Sequence, residues 1–313
     1  MRIIAVPDDA PAVLALSPSF SRLKSAGDVR YFDTLPGAEA VLIERIRGAE
    51  AIVNVRSSTK ISRSVMEGSP SLRLISIWGT GTDNVDLDAA RSLGIRVTNT
   101  PAVSATSIAE HTLALMLAVA RRIPQIDARV RGGEWPRGGM TQMQGKTLGV
   151  IGLGEIGRRF ARLGEAIGMR VVTWTMNPKP ELGFAHVSIE QLLTSSDVVS
   201  LHLRLSDQTR GFLDASRLAL MKPGAMLLNT ARGPIVDERA MLTALTTGRL
   251  GGAGLDVFDV EPLPRGHALT QLDNVVLSPH SAGVTPEALE AGIALAVDNV
   301  LSYCNGEVRH AVV

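Results

Sequence analysis

A chain of 313 residues, 45% hydrophobic and 20% charged, carries enough apolar material for about two globular units. Thirty-two Lys and Arg stand against thirty-one Asp and Glu, and a formal charge of +1 excludes the clustered basic footprint of a nucleic-acid binder; Arg121-Arg122 and Arg158-Arg159 read as solvated helix faces. One cysteine, Cys304, excludes an intrachain disulfide and fits a reducing cytoplasm, and no apolar run approaches the ~20 residues that span a bilayer, so no membrane segment or export signal is expected.

In chain order, short apolar segments at 3–6, 51–55, 74–77 and 96–98 read as strands, with helices at 38–47, 62–67 and 87–93 between them. This alternation predicts a parallel sheet covered on both faces, because each crossover helix packs back on the strands it joins. Aromatics are only 4% of the chain, so the cores are built from Ala, Val, Leu and Ile. Ser107 and Glu110 have capping-box spacing and predict a helix opening at Ser107 and ending at Arg121-Arg122, ahead of Pro124. Residues 132–145, interrupted by Gly and Pro, read as a surface excursion or linker. A second α/β series follows, with strands at 147–151, 171–174, 198–201, 226–229, 254–257 and 275–277 and helices that include 155–167 and 238–247. Thr285-Pro286 predicts the start of a last helix, with Thr as N-cap, that could lie on either unit.

Gly152-Leu153-Gly154-Glu155-Ile156-Gly157 follows the strand at 147–151 and opens a helix. In that context the first glycine allows a tight turn, the second a close approach to a pyrophosphate and the third close helix–sheet packing, while the helix N-terminus offers unpaired N–H groups to the anion. About 20 residues on, where a carboxylate would accept from the adenosine ribose, the chain has Thr175-Met176-Asn177-Pro178-Lys179. Thr175 and Asn177 can hydrogen-bond ribose hydroxyls, and the missing carboxylate lifts repulsion against a 2′-phosphate, but no Arg is present, so NAD is expected with NADP possible. No metal is expected.

Three further segments each end a predicted strand: Asn229-Thr230-Ala231-Arg232-Gly233, the stretch from Gly254-Leu255-Asp256 to Glu261-Pro262, and Ser278-Pro279-His280-Ser281-Ala282-Gly283. Groups beyond the carboxyl ends of strands converge on the ligand crevice of an open α/β sheet, and an Arg, a Glu and a His there suit hydride transfer coupled to proton transfer.

With the glycine loop, these segments resemble the D-isomer-specific 2-hydroxyacid dehydrogenases, in particular the D-3-phosphoglycerate dehydrogenases and the hydroxypyruvate and glyoxylate reductases. The resemblance covers essentially the whole chain, including Val55-Arg56-Ser57, Gly79-Thr80-Gly81-Thr82-Asp83-Asn84-Val85-Asp86 and Ala109-Glu110-His111. It implies an α/β fold of two Rossmann-like, doubly wound parallel-sheet domains: a discontinuous, flavodoxin-like substrate domain of residues 1–98 plus 285–313, and an NAD(P)-binding Rossmann domain of residues 99–284. It also implies a homodimer and hydride transfer between NAD(P) and a small D-2-hydroxy or 2-keto acid. Carried over by position, His280 is the general acid/base, Glu261 hydrogen-bonds its imidazole and fixes the tautomer, and Arg232 grips the substrate carboxylate and keto oxygen.

The same resemblance puts Thr80, Gly152, Gly154, Glu155, Ile156, Gly157, Thr175, Leu203, Thr230, Ala231 and Asp256 along the dinucleotide, Asp256 against the nicotinamide carboxamide. Substrate binding falls to Arg56, Ser57, Gly79, Thr80, Gly81 and Arg232, with backbone amides of Gly79-Thr80-Gly81 receiving the carboxylate. Arg56 matches a position that faces the phosphate end of the substrate in phosphoglycerate dehydrogenases, and Arg137, after Trp135, matches a basic position reached across the dimer. Two departures stand out. Ile77 replaces a basic residue of that phosphate clamp, and Leu203-Arg204 replaces a usual Thr-Pro pair, leaving Arg204 able to approach the cofactor phosphates. His202 also ends a strand but does not align with the family's base, and His111 reads as structural. A non-catalytic, NAD(H)-sensing protein on the same scaffold is the alternative, since such relatives can keep the triad.

Overall fold

The computed structural model describes residues 2–178 and 182–313. It divides into two compact units, Met1–Ser104 with Val284–Val313, and Ala105–Gly283.

In the first unit five strands, β1 (Ile3–Val6), β2 (Asp28–Tyr31), β3 (Ala51–Asn54), β4 (Leu74–Ile77) and β5 (Arg96–Thr98), pair in parallel in the order β2-β1-β3-β4-β5. Every residue of β3 and β4 is buried, as in strands covered on both faces, and the two polar ones are hydrogen-bonded: Asn54 Nδ2 to Asp8 and Ser76 Oγ to the carbonyl of Ala296. Helices α2 (Glu39–Ile46), α3 (Arg63–Glu67) and α4 (Leu87–Ser92) cover one face through Leu42, Ile46, Val65, Met66, Ala89 and Ala90. Side chains start two of them: Ser62 Oγ accepts from Val65 N and Asp86 Oδ1 from Ala89 N. Helix α1 (Ser19–Ala26) and the last helix, α11 (Pro286–Cys304), cover the other face, with Leu23, Ile293, Ala296, Val297 and Val300 against Ile4, Val6, Ala51, Val53 and Leu74. The last helix therefore belongs to the first unit, and its expected start holds: Thr285 accepts from Ala288 N with Pro286 in the first turn.

The second unit carries seven parallel strands, β6 (Thr147–Ile151), β7 (Arg170–Trp174), β8 (Ala185–His186), β9 (Val198–Leu201), β10 (Ala225–Asn229), β11 (Leu250–Leu255) and β12 (Val275–Leu277), in the order β12-β11-β10-β9-β6-β7-β8. The order reverses between β6 and β9, and such a switch point opens the ligand crevice of a doubly wound sheet. Helices α5 (Ala105–Arg121) and α7 (Glu155–Ala166) pack one face through Leu115, Met116 and Phe160; α8 (Ile189–Ser195), α9 (Ala215–Leu220) and α10 (Glu238–Thr246) pack the other through Leu192, Leu193, Leu218, Met241 and Leu245.

Some expectations need correction. Helix α5 starts at Ala105, so Ser107 stands inside its first turn and is not the N-cap; the S-x-x-E spacing recurs inside any helix and does not by itself mark an end. A genuine capping box occurs at Ser188 and Gln191. Residues 123–131, left unassigned by the periodicity, form α6 (Ile123–Arg131), with Pro124 in its first turn and no buried residue. The strand expected at 254–257 runs over Leu250–Leu255, which leaves Asp256 just beyond its carboxyl end. Helix α1 and edge strand β2 gave no recognisable sequence signal: β2 is half-exposed and α1 buries only Ser19 and Leu23.

Candidate active site

Strand β6 runs straight into Gly152, whose φ of +97° lies in the left-handed region; a Cβ there would stand 2.5 Å from the carbonyl oxygen of His202. Gly154 precedes α7 without any side-chain cap, and a Cβ on it would meet nothing within 4 Å, so the space above the helix N-terminus is open. At Gly157 a Cβ would run into the carbonyl oxygen of Gly152, which forces helix and loop together. Turn, open approach and close packing are thus divided among three glycines, and the loop fits a pyrophosphate held on the first-turn amides of α7. Glu155 pairs with Arg158 beside it, and Thr175 follows β7 half-buried. Lys179 lies outside the described residues. Leu203 is buried, whereas Arg204 is exposed and its guanidinium makes no polar contact among the described residues.

Under this loop sits His202, its ring 5.5 Å from that of Phe160 and its Nε2 2.9 Å from Ser200 Oγ. The ring is not fully sealed from solvent, yet the density of protein around it pushes the imidazole down to about 3. A permanently neutral imidazole suits packing and cannot serve as a proton donor at ordinary pH.

Beyond β10, β11 and β12 the three segments come together. Asn229 shapes the first turn, its Oδ1 accepting from Ala231 N and its Nδ2 donating to the carbonyl of Arg232. Thr230 is buried, with its hydroxyl 2.9 Å from that of Thr112 on α5. Glu261 Oε1 accepts from Phe258 N at 3.0 Å, and Oε2 lies 2.7 Å from His280 Nδ1. Burial alone would raise the Glu261 carboxyl, but the His280 bond, the Phe258 N–H and the positive charges of His280 and Arg232 outweigh it and hold the group below the usual carboxylate range. An ionised carboxylate only accepts, so Nδ1 carries the proton and Nε2 is left as the free, proton-exchanging nitrogen of a ring that is 38% exposed. His280 itself adopts φ +52°, a left-handed conformation uncommon outside glycine, and its N–H donates to the carbonyl of Asp256 at 2.8 Å.

In the first unit, Arg56-Ser57 and Gly79-Thr80-Gly81 follow the carboxyl ends of neighbouring strands β3 and β4. Asp8, at the end of β1 and fully buried, shapes the first of these loops: its carboxylate accepts from Asn54 Nδ2 (2.6 Å), Val55 N (2.9 Å) and Arg56 N (3.1 Å). Burial lowers the half-buried Arg56 guanidinium from its ordinary value while the charges of Asp9 and Asp8 draw it up. One nitrogen of that guanidinium donates to the carbonyl of Pro11, its Cζ stands 5.8 Å from the centroid of the Trp78 ring, and Nε is buried with no partner among the described residues. Gly79 N donates to Thr100 Oγ1 at 2.8 Å, so of the three amides in the loop those of Thr80 and Gly81 remain. The role of Asp8 was missed from the sequence, although an acid just past the first strand stands where ligand-site groups collect.

A dinucleotide loop at the switch point of one parallel sheet, with Arg, Glu and His past neighbouring strand ends, defines a nicotinamide-linked dehydrogenase. Residues 113–282 match the family described as D-isomer specific 2-hydroxyacid dehydrogenase, NAD binding domain. The chain is 39% identical over 281 residues to the glyoxylate reductase of Thermococcus litoralis, covering 86% of this chain and 84% of that one. It is 39% identical over 298 residues to the D-3-phosphoglycerate dehydrogenase of Methanocaldococcus jannaschii, covering 93% of this chain and 56% of that longer one. Among solved structures, an acyclic imino acid reductase in complex with NADPH and D-Arg superposes with a TM-score of 0.91 at 30% identity, covering all of both chains. The chain belongs to the D-isomer-specific 2-hydroxyacid dehydrogenase family, and it is an NAD(P)-dependent oxidoreductase acting on a 2-hydroxy acid.

Proposed function

We propose that this chain reduces a small 2-keto acid of the glyoxylate or hydroxypyruvate type to the D-2-hydroxy acid, with His280, Glu261 and Arg232 as the catalytic residues. The observation that carries this reading is the 2.7 Å contact from His280 Nδ1 to Glu261, with Arg232 close enough to bear on that carboxylate. A bound nicotinamide supplies or accepts the hydride at its C4. In reduction, His280 Nε2 gives its proton to the keto oxygen as negative charge develops there, and Glu261, accepting from Nδ1–H, keeps the ring oriented. Arg232 offers a planar fork of donors to the substrate carboxylate and keto oxygen. The amides of Thr80 and Gly81, with Arg56 and Ser57, hold the acid and its C3 substituent. The dinucleotide rests on Gly152, Gly154, Glu155, Ile156 and Gly157, with Thr175, Leu203, Thr230, Ala231 and Asp256 along its length.

Phosphoglycerate-type substrates form a second reading, favoured by the half-buried Arg56 and its unpartnered Nε. Against it, Ile77 offers no second charge for a phosphate. NAD is the proposed cofactor, with NADP admitted, because the chain past β7 carries neither the carboxylate that rejects a 2′-phosphate nor an Arg that selects it within residues 175–178. We also place the protein in the reducing cytoplasm, consistent with Cys304 as its sole, unpaired cysteine.

A homodimer completes the proposal. Helix α6 buries no residue, Ile123 and Trp135 are 55% and 75% exposed, and a cavity of about 680 Å³ lined by Arg122, Arg129 and Arg137 lies beside them. Such an apolar and cationic arm suits a second copy of this chain.

A steady-state screen of glyoxylate, hydroxypyruvate, pyruvate and 3-phosphohydroxypyruvate against NADH and NADPH tests the whole reading. Turnover of the first two is expected, with kcat lowered roughly 10²–10⁴-fold by His280→Gln. Tight cofactor binding with no turnover on any acid would replace it with the sensor reading, and a strong preference for the phosphorylated acid would select the second.

A further inference from the structure

His111 lies on α5, outside the three segments that carry the triad, and it joins a hydrogen-bonded chain that ends at the backbone of His280. Its Nε2 stands 2.8 Å from Ser278 Oγ, and that hydroxyl donates to Asp256 Oδ1 at 2.6 Å. The direction of the chain is fixed by proton count. Asp256 Oδ1 also accepts from Ser281 N at 2.9 Å and Oδ2 from Ala282 N at 2.9 Å, so the carboxylate only receives. Ser278 has one proton, and it points at Asp256; the serine can then only accept from His111, whose Nε2 must carry a hydrogen. The carbonyl of Asp256 takes the N–H of His280. Asp256 thus grips the catalytic loop at four points, Ser278, His280, Ser281 and Ala282, while buried to 1% exposure.

We propose that His111 is a positioning residue for His280. By donating to Ser278 it fixes the serine rotor, the serine fixes the Asp256 carboxylate, and the carboxylate holds residues 278–282 in the turn that gives His280 its φ of +52°. That conformation is unfavourable for a non-glycine residue and persists only where its surroundings over-determine it. With His111 removed, the Ser278 hydroxyl is free to swing away from Asp256, the loop relaxes, and Nε2 of His280 drifts from the line of proton transfer. Displacements of about 1 Å in a reacting group cost up to about 10²-fold in rate.

The inference rests on His280 as the acid/base, so His280→Gln is assayed alongside. His111→Phe is expected to lower kcat about 10-fold with KM for the keto acid and for the cofactor little changed, and to raise the primary deuterium isotope effect measured with 4-deuterated reduced cofactor. His111→Gln, whose side-chain N–H can reach the same hydroxyl, restores most of the loss. Ser278→Ala gives the same kind of defect as His111→Phe, and the double variant loses less than the two single losses combined, because both act on the Asp256 carboxylate, which His111 Nε2 meets through Ser278 and approaches directly only to 3.6 Å. A folded His111→Phe with parental kcat and isotope effect overturns the proposal, as does a Gln variant no faster than Phe. Should His111→Phe fail to fold, Ser278→Ala decides: parental kcat and isotope effect overturn the proposal. Full activity of His280→Gln would instead overturn the dehydrogenase assignment of that residue, and the inference with it.

Discussion

His280 and His202 lie in the same unit, at the ends of two of its loops and strands, and their surroundings assign them opposite tasks. His280 has its Nδ1 on an ionised carboxylate and a part-exposed ring, whereas His202 is enclosed among Phe160, Ser200 and the glycine loop. The difference is measurable as stability. Burial holds folded His202 near 3, against about 6.5 in the unfolded chain, so below pH 6.5 the unfolded state binds a proton that the native state refuses. The stability conferred by the neutral ring is complete above pH 6.5 and is lost progressively as pH falls toward 3. Urea unfolding between pH 7 and 5 is expected to show an excess slope of up to about 1.4 kcal/mol per pH unit in the parent relative to His202→Gln. Parallel lines for the two proteins would refute it.

At the scale of elements, the turn from β6 into α7 separates binding from folding within one loop. Gly154 has open space where a Cβ would go, while at Gly157 a Cβ would strike the backbone of Gly152. Gly154→Ala is therefore expected to fold with parental Tm and to weaken cofactor binding about 10-fold or more, because the methyl group occupies the approach to the pyrophosphate. Gly157→Ala is expected to lower stability by about 1–3 kcal/mol through overpacking before any effect on cofactor is considered. Thermal unfolding with and without NADH, beside a fluorescence titration, reads both; equal loss of Tm in the two variants would refute the division. Much of this element was legible in the sequence, because strand, glycine spacing and helix follow one another within about a dozen residues. The network around Asp256 was not: Ser278 and His111 are 167 residues apart, and nothing local to either marks the contact.

Across the whole molecule, the exposed arm from α6 through Trp135 is where assembly is read out. If a second copy covers it, light scattering after size exclusion gives a dimer, and Trp135→Glu shifts the protein toward monomer by placing an unpaired charge in a desolvated interface. A parental monomer, or a variant that stays fully dimeric, would refute the assignment of that surface. Two parallel sheets, the glycine loop and the order of the Arg, Glu and His segments were fixed by local pattern: apolar strand runs, helix spacing and turn glycines act over a few residues, so they can be read in one dimension. That Gly79 gives its amide to Thr100, that Asp8 shapes the Arg56 loop, and that His111 reaches the turn of His280 were decided only by the folded chain. Those outcomes depend on side chains from distant segments meeting at strand ends, where burial makes each polar group find a partner and no neighbour in sequence determines which one it finds.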